Sequence, residues 1–140
     1  MTTINPWINF NGNAKEAFDF YKSVFGGELT KIIMLKDVMG EANVPAEDAN
    51  KYLRIVLPIG PGSELIGNDV PSAMGKVNEM ENRSKISVSS ETKEEAERIF
   101  NGLSQDGQVE MPLSEGPFGG YFAMFRDKFG IEWTIETENK

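Results

Sequence analysis

Hydrophobic and polar positions run through the same succession of periods twice along this chain. From Ile4 to Phe10 they alternate. Ile4, Pro6, Ile8 and Phe10 share one face and Asn5, Trp7 and Asn9 the other, which is the pattern of a half-buried strand. Asn11-Gly12-Asn13 turns the chain, and Asn13 with Glu16 three residues on predicts a capped helix start. Ala14, Ala17, Phe18, Tyr21, Val24 and Phe25 then recur at helical spacing, while Lys15, Glu16, Asp19 and Lys22 take the polar side. Gly26-Gly27 predicts the helix end, because glycine accepts the left-handed conformation a helix terminus uses.

Leu29 to Lys36, rich in Ile and Leu, predicts a second strand, and Asp37 to Asn50 a polar loop too long for a hairpin. Tyr52 to Ile59 and Ser63 to Asn68 predict a hairpin around Gly60-Pro61-Gly62. Val70 to Asn82 carries Pro, Gly and charge without a period and reads as a linker between modules.

The succession then repeats. Ile86 and Val88 oppose Lys85, Ser87 and Ser89 in a new alternating segment, and Thr92 with Glu95 forms a capping box. Ala96, Ile99, Phe100 and Leu103 give a second helical stripe. Gln108 to Met111 predicts a short strand, Pro112 to Gly119 a loop, and Tyr121-Arg126 and Ile131-Thr137 two strands joined by Asp127-Lys128-Phe129-Gly130. Ala17, Tyr21 and Val24 match Ala96, Phe100 and Leu103, each pair 79 positions apart.

The expected fold is therefore α+β: two βαβββ modules, about 1–69 and 83–140 with the linker at 70–82, in one domain. Their eight strands are expected to form a cup-shaped mixed sheet with the helices on its outer face. Strand residues pointing away from the helices would line the hollow: Trp7, Asn9, Lys85, Ser87, Glu132, Thr134 and Glu136.

Composition narrows the chemistry. The chain has neither Cys nor His, which removes disulfides, thiolate and imidazole metal ligands, and serine-histidine catalysis. Its net charge of −8 argues against nucleic acid or an anionic membrane as partner, and favours neutral or cationic ligands. No apolar run reaches the length of a membrane span, and Met1-Thr2-Thr3-Ile4-Asn5 lacks the regions of a secretory signal, so the expected compartment is cytoplasmic.

Several blocks resemble one family. Trp7-Ile8-Asn9-Phe10-Asn11-Gly12-Asn13, Ala17-Phe18-Asp19-Phe20-Tyr21 and Val24-Phe25-Gly26-Gly27 are similar to the opening of the PhnB-like proteins of the vicinal oxygen chelate superfamily. Ala96-Glu97-Arg98-Ile99-Phe100, Met111-Pro112-Leu113, Phe118-Gly119 and Asp127 to Trp133 continue the resemblance across nearly the whole chain. It implies paired βαβββ modules, a dimer, and kinship with glyoxalase I, extradiol dioxygenases and bleomycin-resistance proteins. The superfamily's metalloenzymes take His and Glu ligands from the first and last strand of each module. The matching first-strand positions here are Pro6 and Ser84 by helix register, or Asn5 and Arg83 by strand alternation. The last-strand positions fall at Thr134 and near Ile66 or Gly67, so the usual ligand set is not present. The methyltransferase label some PhnB-like proteins carry finds no support, since Gly60-Pro61-Gly62 sits between strands and opens no helix.

The candidate ligand-binding residues are Trp7, Asn9, Lys85, Ser87, Phe118, Tyr121 and Thr134, with no metal site and no cofactor expected. Trp7 reads as core or dimer-interface packing, as large aromatics usually are, or as a stacking wall for a planar or apolar ligand. Asn9, Lys85, Ser87 and Thr134 read as polar anchors, or as groups satisfied by neighbours and water. Phe118 reads as part of an aromatic lid over the cup mouth, or as a turn residue that caps the core, and Tyr121 is the candidate proton donor if chemistry occurs. Glu132 and Glu136, with Glu64 or Asp69, offer an all-oxygen cation site or simply a solvated acidic face. Three functions stay open: a metal-free homodimer that binds a small organic molecule, an enzyme with an oxygen-ligand metal or Tyr/Glu acid–base chemistry, and a structural or regulatory dimer with a vestigial pocket.

Overall fold

In a computed structural model describing residues 2–116 and 119–137, the chain divides into two compact units, Met1–Val77 and Asn78–Lys140. Each holds one four-stranded mixed sheet, and together they make the α+β pair of βαβββ modules that the repeat predicts.

In the first unit β1 (Trp7–Phe10) leads into α1 (Ala14–Phe25), followed by β2 (Thr30–Met34), α2 (Leu35–Met39), β3 (Tyr52–Pro58) and β4 (Glu64–Asp69). The spatial order is β1-β4-β3-β2, with β1 parallel to β4 and the remaining pairs antiparallel. Helix α1 buries Ala14, Ala17, Phe18, Tyr21 and Val24, the stripe read from the sequence. Phe18 meets Phe10 of β1 edge-on, with ring centroids 6.1 Å apart. The fit there is close: a side chain at Gly67 of β4 would collide with the Phe18 ring. Glycine leaves the space that the aromatic fills.

In the second unit β5 (Ile86–Ser89) leads into α3 (Lys93–Leu103), then β6 (Gln108–Glu115), β7 (Tyr121–Arg126) and β8 (Glu132–Glu136), in the order β5-β8-β7-β6. Ala96, Ile99 and Leu103 of α3 are buried, and Phe100 packs edge-on against Phe125 of β7 at 5.4 Å. Trp133 is a core residue whose Nε1–H donates to buried Asp127 Oδ2 at 2.9 Å.

Three local expectations are corrected. The strand read over Leu29–Lys36 ends at Met34, and Leu35–Met39 is a short helix. The polar loop beyond it contains single turns of 3-10 helix at Glu41–Asn43 and Ala46–Asp48. Pro112 does not end β6, which continues to Glu115. As the outer strand of its sheet it tolerates a missing N–H on its unpaired side, and its pairing with β7 shifts register around this stretch. Asn13 makes no side-chain cap; the carboxylate of Asp69, 55 residues away, accepts from Ala14 N–H at 2.8 Å instead. By contrast Thr92 Oγ1 accepts from Glu95 N–H at 3.1 Å, capping α3 as its sequence predicts.

The segment between the modules is tied down at both ends. Asn11 exchanges hydrogen bonds with the backbone of Val77 in the first unit, donating at 3.0 Å and accepting at 2.9 Å. In the second unit Arg126 Nη2 donates to the carbonyls of Met80 and Glu81.

Candidate functional site

Strand alternation decides which side chains point away from the helices. In the first unit Phe10, Ile55, Leu65 and Gly67 face α1, so Trp7, Asn9, Arg54, Val56, Ile66 and Asn68 occupy the helix-free face. Trp7 is 49% exposed, yet it is fixed in orientation. Its Nε1–H donates to Asn68 Oδ1 at 2.7 Å, and Asn68 Nδ2 donates in turn to the carbonyl of Asp69 at 3.1 Å. The Arg54 guanidinium lies over the indole, 5.3 Å from the ring centroid, in a cation–π arrangement.

The Arg54 side chain makes no hydrogen bond or ion pair with the described residues, and its buried Nε finds no acceptor. Asn9 shares this face, directly beside Asn68 in the parallel pairing of β1 with β4. The sequence reading placed Trp7 and Asn9 here and missed Arg54. The signal was present: in the hairpin strand Arg54 alternates against Leu53 and Ile55 and so must share the face of Val56.

In the second unit the helix-free face carries Ser87, Met124 and Thr134 in one row across β5, β8 and β7. Thr134 is buried and Ser87 exposed. Beyond them a charged group forms: Arg126 Nη2 meets Glu132 Oε1 at 2.6 Å, its Nη1 donates to the carbonyl of Gly130 at 2.6 Å, and Lys85 Nζ stands 3.9 Å from Glu132 Oε2. Lys85 and Glu132 are therefore partners of each other. Tyr121 does not join the row. Its ring lies 4.7 Å from Lys93 Nζ, at the first turn of α3, because it alternates with Ala123 and Phe125 toward the helix side. Phe118 lies outside the described residues.

The residues do not fit the divalent metal that the resemblance implies for its enzymes. Among the described residues no group of three His, Cys, Asp or Glu converges on one point. The paired first and last strands present Trp7 beside Ile66 and Ser87 beside Thr134. The proposed all-oxygen alternative fails at two members: Glu132 is held by Arg126 and Lys85, and Asp69 faces α1, accepting from Ala14 N–H and Tyr52 N–H.

Comparison with known proteins agrees with this architecture. A sequence model of the Glyoxalase/Bleomycin resistance protein/Dioxygenase superfamily matches residues 4–135. Protein YjdN of Escherichia coli (strain K12) is 26% identical, covering 94% of this chain and 92% of its own. Protein PA1353 from Pseudomonas aeruginosa has a crystal structure that superimposes with a TM-score of 0.85 at 33% identity, covering 100% of both chains. A Bacillus cereus PhnB protein, described as a putative 3-demethylubiquinone-9 3-methyltransferase, superimposes with a TM-score of 0.75 at 27% identity, covering 97% of this chain and 99% of that one. No described helix is long and apolar enough to cross a membrane. With its two βαβββ modules and a family match across nearly its whole length, the chain belongs to the glyoxalase/bleomycin resistance protein/dioxygenase superfamily and resembles its PhnB-like members.

Proposed function

We propose that this protein is a cytoplasmic homodimer that binds a small organic molecule through side chains on a helix-free sheet face, without a metal. The observation that carries the reading is Trp7: a half-exposed indole, on the sheet face opposite α1, whose N–H is held by Asn68. A large aromatic ring kept exposed and oriented is a preorganised stacking surface, and preorganisation lowers the entropic cost of binding. Asn9 and Arg54 supply polar groups around it. Among the described residues no donor set fits a metal, which favours binding over metal-assisted chemistry, and Tyr121 on the helix side weakens the acid–base alternative. Exposed Ile32 on β2 and exposed Val109 and Met111 on β6, the outer strands of their sheets, support self-association.

A thermal-shift screen of small organic compounds tests the reading, because a ligand of the folded state must stabilise it. Concentration-dependent stabilisation by at least one chemical class, on a protein sedimenting as a dimer, is the expected result. A protein that no class stabilises would be the structural or regulatory dimer instead.

A further inference from the structure

We infer that the molecule bound beside Trp7 is a small organic anion, and that Arg54 takes its carboxylate or phosphoryl oxygens; the inference rests on the binding role proposed above. The overall charge of −8 points the other way, and the local arrangement outweighs it. A guanidinium is always charged and carries five N–H donors in a rigid fork. Removing such a group from water without an acceptor is unfavourable, so buried or half-buried arginines ordinarily hold carboxylates or carbonyls. Arg126 of the second unit does so, with Glu132 and three backbone carbonyls around it.

Arg54 is the contrast. It is half-buried in a chain with 22 carboxylate residues, and its described contact is the face of Trp7, which accepts no conventional hydrogen bond. Its Nε is buried and has no acceptor. Asn68 Oδ1 accepts from Trp7 Nε1–H and makes no bond to Arg54. Glu64 lies on the same face but four residues along β4 from Asn68, roughly 13 Å away at strand spacing. Asp69, next to Asn68, points to α1. The result is a cation over an indole, and the cation's side-chain donors have no partner among the described residues. A bidentate oxyanion matches that fork, and an apolar body attached to it would lie along the exposed part of the Trp7 ring. Asn9 of β1 is exposed on the same face, its side chain makes no hydrogen bond to the described residues, and it can add a donor or an acceptor at the edge.

The test uses the intact protein and four probes sharing a phenyl body, namely benzoate, phenylphosphonate, neutral benzamide and cationic benzamidine, followed by calorimetry and by tryptophan fluorescence. Benzoate or phenylphosphonate is expected to bind at least ~10-fold more tightly than benzamide and benzamidine, and less tightly as salt is raised. Which of the two anions wins separates a carboxylate ligand from a phosphoryl one. Arg54→Met is expected to abolish the preference for the anion while leaving the melting temperature equal or higher, since an unmet charge has been removed. Equal binding of benzamide, or an anion preference that survives Arg54→Met, overturns the inference and leaves the binding role standing. A lower melting temperature in Arg54→Met, with unchanged probe affinities, would make Arg54 structural and likewise overturn it. Failure of all four probes to bind would overturn the inference, while the binding role stands or falls with the thermal-shift screen.

Discussion

Asp48, Asp69 and Asp127 are all but fully buried, and each commits its carboxylate to backbone N–H groups. Asp48 shows the consequence for pH. Lys51, 2.8 Å away, together with the hydroxyl and N–H of Ser72, holds this carboxyl below the ordinary aspartate range, against the opposing effect of burial. A carboxylate with a depressed pKa contributes stability that is complete above its unfolded value and is lost as pH falls through the folded value. Asp48→Asn is therefore expected to make the melting temperature fall less steeply below about pH 4 than in the wild type. Melting curves taken between neutral and acid pH check this, and parallel acid limbs would contradict it. The residue scale also explains why Arg54 was missed. A single arginine in a strand looks like any exposed cation until the pairing shows that no acid stands opposite it.

At the scale of elements, the long amphipathic helices were legible and the short or tertiary-dependent features were not. Helices α1 and α3 each present three or more turns, enough for the stripe to emerge. Helix α2 has five residues, too few to show a period, so its leading Leu35 read as more strand. Strand β6 was cut short at Pro112 because the tolerance of an outer strand for proline depends on sheet order, which a local pattern does not contain. The start of α1 carries the sharpest lesson. Asn13 has the right chemistry and place for a cap, yet Asp69 fills the role from β4 and also accepts from Tyr52 N–H at 3.0 Å, joining helix, β4 and the start of β3. Asp69→Ala should cost about 3 kcal/mol, because two N–H groups, one of them buried, lose a charged acceptor. Asn13→Ala should cost less than about 0.5 kcal/mol, well under the ~1 kcal/mol of a working cap. Chemical denaturation of the two variants distinguishes them, and the reverse order would restore Asn13 as the cap.

For the molecule as a whole, the duplicated pattern was enough to give two βαβββ modules, because 79-residue spacing in both helical stripes constrains which strands flank which helix. The sequence repeat did not extend to the chemistry of the two sheet faces. One carries an aromatic ring with an unmet cation, and the other a closed Arg126–Glu132–Lys85 group around a polar row of Ser87 and Thr134. Alternation alone placed Trp7, Asn9, Ser87 and Thr134 on these faces; side-chain partners, which depend on rotamers and neighbouring strands, decided which groups are available. The central claim is that Trp7 is kept exposed for a ligand rather than for the fold. Its most direct test compares wild type and Trp7→Ala in two quantities at once: affinity for the tightest-binding compound of the thermal-shift screen, and free energy of unfolding. The account predicts at least a ~10-fold loss of affinity with a stability change within ~1 kcal/mol, as befits a half-exposed side chain with one hydrogen bond. Unchanged affinity, or a loss of stability as large as the loss of binding energy, would contradict it and make Trp7 part of the packing.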